Sequence, residues 1–254
     1  MTCLPFSDTK PGAAMDLFCL NYAGGSTAVF RDWNRLFPDW ISVRPVEFPG
    51  RGTRMGDQLI SDPARLADLL SRELEDHIRK PFAIFGHSLG AALGYRIALH
   101  FQTRRPAVAF FPSGRHSPTA SAPVIRRAHL PDGELLEAVR ELNGSPAEVL
   151  ENAELMAFLL PIIRADFALS ETIRAERDAR LLTCPVHVFG GADDTEVPVS
   201  SLAEWQTVAK GDFSETLLPG DHFFMHSHIE AIRDRIIEIS EPLVCGSSNL
   251  KRRA

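Results

Sequence analysis

Phe82-Ala83-Ile84-Phe85-Gly86-His87-Ser88-Leu89-Gly90-Ala91-Ala92 joins a short apolar run to a helical pattern that continues through Leu93, Ile97, Ala98 and Phe101. The junction is Gly-x-Ser-x-Gly, and it stands in the context that gives those five residues meaning, a buried strand before and a helix after. In that setting the serine occupies a sharp, strained turn that lifts its hydroxyl clear of the sheet. Gly86 and Gly90 leave room there, because a Cβ at either position would crowd the strand or the helix. The first helical turn also aims backbone N–H groups and the positive end of its dipole at the serine, where an oxyanion would develop. Ser88 is therefore the candidate nucleophile, and the N–H of Leu89 a candidate oxyanion donor.

A serine hydroxyl is a weak nucleophile until a base takes its proton, and the base needs a third group to hold its tautomer. Late in the chain Pro185-Val186-His187-Val188-Phe189 reads as a strand running into Gly190-Gly191-Ala192-Asp193-Asp194-Thr195-Glu196-Val197-Pro198. A second strand, Phe213 to Leu218, runs into Pro219-Gly220-Asp221-His222-Phe223-Phe224. An acid and a base that each follow a strand emerge at the sheet edge where Ser88 sits, since ligand sites lie at the carboxyl ends of such strands. Of the nine histidines, His222 has the loop position required. His87 adjoins Ser88 but points elsewhere in an elbow, and His226 and His228 are expected on the last helix. Asp193 and Asp194 are adjacent and only one can face His222. The register Gly191, Asp194, Val197, Pro198 favours Asp194. The chain order Ser, Asp, His is that of the α/β-hydrolase fold. Ala23 or a neighbour, in the small-residue turn Asn21-Tyr22-Ala23-Gly24-Gly25-Ser26 after a first strand, is the candidate for the second oxyanion N–H. These parts specify acyl transfer through an acyl-serine that water resolves. A thioester suits the site because a leaving thiolate needs little protonation, but the residues do not separate ester from thioester.

The rest of the chain supplies the frame. Strands are expected at Met15–Leu20, Ile41–Val46, Ala107–Phe111, 185–189 and Phe213–Leu218 beside the elbow strand, with helices between them. Such alternation implies a mostly parallel sheet covered on both faces. Ser61-Asp62-Pro63 opens one helix with capping chemistry and a proline in its first turn. A helix is expected from Ser200 to Ala209. From about 114 to 181 the alternation stops and the pattern is helical only, Pro131 to Leu142, Pro146 to about Leu160 and Pro161 to Arg177. The chain thus divides into a core segment at 1–113, a helical insertion at 114–181 read as a lid over the site, a second core segment at 182–242, and a disordered tail at 243–254.

A net charge of −6 gives nucleic-acid binding no electrostatic footprint. No run is long and apolar enough to span a bilayer, and the first ten residues lack the basic start and apolar core of a signal peptide. The four cysteines are scattered, without a C-x-x-C pair. Cys19 and Cys184 read as buried small hydrophobes, and neither a disulfide, a metal site nor a cofactor is expected. The chain is expected to be a cytoplasmic monomer.

The distribution of motifs resembles that of the type II thioesterases that accompany nonribosomal peptide and polyketide synthetases, over residues 15–240. The likeness is carried by Leu17 to Ser26, Trp33, Phe48-Pro49-Gly50-Arg51-Gly52 with Arg54, Gly86 to Ala91, Leu160-Pro161 with Arg164-Ala165-Asp166-Phe167, and Pro219 to Phe224. The Pro-Gly-Arg-Gly and Arg-Ala-Asp-Phe segments are far more specific than the elbow. Asn21 departs from the family's usual proline, and Leu89 from its common methionine. The resemblance implies that the substrate is a wrong or stalled acyl group on the 4′-phosphopantetheine arm of a carrier domain. It also implies that the helical insertion admits that arm. Carrier domains are commonly acidic, so Arg126 and Arg127, or Arg51 and Arg54, are candidates for steering them. The motif wording is most similar to thioesterases beside siderophore synthetases such as that for yersiniabactin. The rival readings are a general carboxylesterase or acyl-CoA hydrolase on the same fold, and a non-catalytic scaffold that keeps the elbow for structure.

Overall fold

Six short runs bounded by turn residues form one all-parallel sheet in a computed structural model that describes residues 2–6, 9–121, 123–144, 147–175 and 179–250. The strands are β1 (Met15–Leu20), β2 (Ile41–Val46), β3 (Phe82–His87), β4 (Phe110–Ser113), β5 (Val186–Gly191) and β6 (Phe213–Leu218), in the spatial order β2-β1-β3-β4-β5-β6. Alternation along each strand feeds two cores, as the period-2 geometry requires. Phe18, Leu20, Phe82 and Ile84 face one side, whereas Leu17, Cys19, Ala83 and Phe85 face the other. On the second side lie α1 (Trp33–Leu36) and the C-terminal helix. On the first lie α2 (Pro63–Glu75) and α3 (Leu89–Phe101). The Asp62 side chain accepts from Arg65 N–H at 2.7 Å, so α2 starts with the expected cap and Pro63 in its first turn.

Between β4 and β5 the chain leaves the sheet and forms α4 (Asp132–Glu141), α5 (Ala147–Glu151) and α6 (Ala153–Ala175). Val139, Leu150, Met156 and Ile163 make a small apolar cluster of their own. The break expected at Pro161 is absent: α6 runs straight through it. Proline removes one i→i−4 bond and crowds one carbonyl, and the remaining bonds and apolar contacts of a 23-residue helix keep it continuous. Pro146 and Arg177, expected as helix bounds, lie outside the described residues.

Three other expectations shift. β4 pairs at 110–113 and not from Ala107; Ala107 and Ala109 are buried, but burial marks a run as apolar without saying where the ladder begins. The helix expected at 200–209 is two 3₁₀ segments, Val199–Ser201 and Ala203–Val208. The last helix, α7 (Ile229–Leu250), continues beyond 243, where a disordered tail was expected to begin. Its apolar stripe does not stop at Ile239, because Leu243 and Val244 extend it onto the same core as Ile232 and Ile236. Residues 251–254 lie outside the described residues. Among the described residues no helix is long and apolar enough to cross a membrane.

Candidate active site

The carboxyl ends of β1, β3, β5 and β6 bring the site together. Ser88 stands between β3 and α3 with φ 53° and ψ −112°, backbone strain that only an over-determined turn sustains. Both flanking glycines are required by space. A Cβ on Gly86 would lie 2.3 Å from the carbonyl oxygen of Gly90, and one on Gly90 would lie 2.2 Å from that of Leu20. The second contact has a consequence for the site: α3 begins directly against the end of β1, so Ser88 and the turn after Leu20 are neighbours.

His222 Nε2 lies 3.1 Å from Ser88 Oγ, and its Nδ1 lies 2.8 Å from Asp194 Oδ2. Asp194 Oδ1 accepts from the N–H groups of Glu196 and Val197, at 2.8 and 3.0 Å, which leaves Oδ2 for the imidazole. Asp194 is buried, whereas Asp193 is exposed and accepts from Gly220 N–H at 3.2 Å. Of the two adjacent carboxylates, it is Asp194 that stands against His222. Asp194 and His222 hold an arrangement in which the imidazole can take a proton from Ser88, the carboxylate fixing the tautomer.

Ala23 and Ser88 line the same cavity, and the side chain of Leu89 is buried in the core, so only the backbone of Leu89 bears on the site. Among the described residues neither Ala23 N–H nor Leu89 N–H has an acceptor. Both are therefore open to a developing oxyanion. The cavity measures about 480 Å³, and Val139, Met156, Leu159, Ile163 and Phe167 from the helical insertion are among its lining residues. Its mainly apolar lining, with Ser88 and His222 among the polar groups, suits an acyl chain.

His87 behaves as expected and turns away from the cavity. Its ring is buried, with Nδ1 2.9 Å from Ser113 Oγ, and its centroid lies 5.3 Å from that of His222. Burial above all, then the neighbouring His222 and His226, pushes it well below its ordinary pKa. It stays neutral and adds no positive charge behind the base. His226 ends a 3₁₀ segment (Phe224–His226) and His228 precedes α7, so neither lies on the last helix as expected.

The steering arginines need correction. Arg51 and Arg54 are both 4% exposed. Arg51 pairs with Asp166 of α6, and Arg54 with Asp57 and with both oxygens of Glu73. Loops rich in Gly and Arg look solvated in a sequence, but both guanidiniums are buried, Arg51 in a buried ion pair and Arg54 against partly exposed carboxylates. Arg127 binds both oxygens of Glu196 at 2.7 and 2.8 Å, tying the insertion to the loop of the acid. Arg126 remains exposed. The Arg51–Asp166 pair is what sequence reading missed. The two segments were conspicuous as motifs, but nothing in either one names the other as its partner.

An all-parallel sheet with a strained serine between strand and helix is the α/β-hydrolase fold. Residues 15–240 match the family model described as "Thioesterase domain", and the chain belongs to the thioesterase family, enzymes that hydrolyse thioesters. It is 34% identical over 222 residues to the gramicidin S biosynthesis protein GrsT of Aneurinibacillus migulanus, covering 87% of this chain and 86% of that protein. The crystal structure of ClbQ from the colibactin nonribosomal peptide/polyketide pathway superposes with a TM-score of 0.85 at 31% identity, covering 91% of this chain and 98% of ClbQ. YbtT, the type II thioesterase of the yersiniabactin pathway, superposes with a TM-score of 0.82 at 24% identity, covering 92% and 96%. At that identity the likeness carries the fold, and the narrower expectation of a siderophore cluster gains nothing from it.

Proposed function

We propose that the chain is a type II thioesterase that hydrolyses wrong or stalled acyl groups from the 4′-phosphopantetheine arm of carrier domains in nonribosomal peptide or polyketide synthesis. The observation that carries this reading is the relay Asp194–His222–Ser88, with Ser88 and His222 lining a mainly apolar cavity to which the helical insertion contributes. The family match and the biosynthetic settings of GrsT and ClbQ support the choice of substrate.

In this mechanism Ser88 Oγ attacks the thioester carbonyl while His222 Nε2 takes its proton, and Asp194 stabilises the imidazolium. The N–H groups of Leu89 and Ala23 hold the oxyanion. The C–S bond then breaks, the thiolate takes the proton back from His222, and the acyl group stays on Ser88. Water, deprotonated by His222, releases the acid and restores the serine. The insertion at 114–181 acts as the lid, and the enzyme works as a cytoplasmic monomer; three reduced, buried cysteines (Cys3, Cys19, Cys184) support that compartment.

Hydrolysis rates on acetyl-carrier protein, acetyl-CoA and a nitrophenyl acetate test the reading. The carrier-bound thioester is expected to be preferred, and a strong preference for the ester would defeat it. Ser88→Ala is expected to lower turnover by about 10⁴- to 10⁶-fold, whereas a non-catalytic scaffold would lose nothing.

A further inference from the structure

The turn that carries Ala23 is held from two directions. Gly25 N–H donates to Tyr22 C=O at 3.0 Å, and Gly24 sits at φ +76°, the left-handed conformation that a type II turn asks of its third residue. In a trans peptide the carbonyl and the N–H point opposite ways. With the Tyr22 carbonyl turned inward to Gly25, the N–H of Ala23 is turned out of the turn. The following peptide has its own clamp: Gly24 N–H donates to Asp166 Oδ2 at 2.7 Å. Asp166 lies on α6, fully buried, and the Arg51 guanidinium grips both its oxygens, with Nη2–Oδ1 at 2.7 Å. Arg51 Nη1 also reaches Gly25 C=O at 3.5 Å. A Cβ on Gly24 would lie 2.9 Å from Ile163 Cγ1, so α6 is seated directly on the turn. Desolvation offsets much of the attraction within a buried ion pair, and the best-attested use of such a pair is registry.

On the reading of Ser88 as nucleophile and Ala23 as oxyanion donor given above, we propose that Asp166 is a positioning residue. Held by Arg51, it locks the Tyr22–Gly25 turn so that the Ala23 N–H completes the oxyanion hole, and it thereby makes the hole depend on the seating of α6. When α6 lifts, the acceptor of the Gly24 N–H goes with it and one oxyanion donor is lost. Turnover is thus coupled to closure of the insertion over a bound chain.

Two doubly substituted proteins test this, each with both charges removed so that no buried ion is left alone. R51M/D166N keeps a carbonyl that can accept from Gly24 N–H, and R51M/D166L does not. With melting temperatures matched, R51M/D166L is expected to lose about 10²-fold in kcat, the effect of removing one oxyanion donor. Its KM should move by about threefold or less, and R51M/D166N should lose about fivefold or less in kcat. Amide hydrogen exchange at Gly24 should be faster in the Leu form than in the Asn form. Equal kcat in the two, or a loss confined to KM, overturns the proposal. Should the Leu form fail to fold, Asp166→Glu keeps both charges and displaces the acceptor by one methylene. A fall in kcat of about tenfold or more is then expected, and an unchanged kcat overturns it. Neither double variant touches Ser88, His222 or Asp194, so their failure is distinct from retained turnover in Ser88→Ala, which would sink the proposed function itself.

Discussion

Replacing Asp194 by Asn exchanges one oxygen for an NH₂ group and leaves the shape of the side chain alone. The N–H groups of Glu196 and Val197 both donate to Oδ1, so the amide must keep its oxygen there and present NH₂ to His222 Nδ1, 2.8 Å away. The ring must then accept at Nδ1 and carry its proton on Nε2, the atom 3.1 Å from Ser88 Oγ. In that tautomer it cannot take the serine proton. Flipping the amide offers no escape, because it leaves two backbone donors facing NH₂, at about 1–3 kcal/mol for each unsatisfied donor. The same exchange in the serine-protease template costs about 10⁴ in kcat, or about 5.5 kcal/mol of transition-state stabilisation. Steady-state hydrolysis of acetyl-carrier protein should show a loss of that order, with a melting temperature near that of the parent. Asp193→Asn, at an exposed position, is the control and should stay within about threefold. An Asp194→Asn protein within tenfold of the parent, or an equal loss from Asp193→Asn, would refute the assignment of the acid.

Other outcomes follow from neighbouring features. Gly90→Ala puts a methyl against the carbonyl oxygens of Leu20 and Asn21, backbone atoms that cannot rotate away. It should cost about 1–3 kcal/mol or more and lower activity along with melting temperature; a fully active protein of unchanged stability would show that the close approach of α3 to β1 is not needed. His187, bonded to Ser214 and Thr216, is pushed by burial, with a smaller contribution from Arg235, down to about 3. The unfolded chain therefore takes up this proton first, and stability is complete above the ordinary value of 6.5 and lost as pH falls from there towards 3. Linkage puts the loss at about 2 kcal/mol by pH 5. Denaturant titrations of the parent and of His187→Gln should differ by that much in their change between pH 8 and pH 5, and parallel curves would refute it. Arg126→Glu should lower kcat/KM on carrier-bound substrate by about tenfold at low salt and spare a free thioester analogue; equal effects on both would remove this residue from docking.

The limits of the sequence follow its physics. β1, β2 and β6 were legible to the residue, because each is a short apolar run closed by turn chemistry. The positions of Ser88 and His222 were legible because one lies at a Gly-x-Ser-x-Gly junction of strand and helix and the other in a loop after a late strand. Asp194 could be separated from Asp193 only by register, since burial against Glu196 and Val197 is a property of the folded loop. Pro161 and the start of the tail were misread for a related reason: proline and polar residues signal a local preference, and packing overrules it, through Met156 and Ile163 on α6 and through Ile232, Ile236, Leu243 and Val244 on α7. Arg51 and Asp166 lie 115 residues apart, and no periodicity or spacing connects them.

The two halves of the relay rest on unequal ground. Ser88 leaves the sheet from β3, flanked by β1 and β4, but His222 follows β6, which has a neighbour on one side only and leaves Leu217 half exposed. Margins of a sheet open at lower free energy than its middle. Gentle warming should therefore unhook the imidazole while the centre is still intact, and catalysis should fade before the ellipticity of the helices does. The nucleophile would outlast its base, leaving a protein that is folded by most optical measures and already silent.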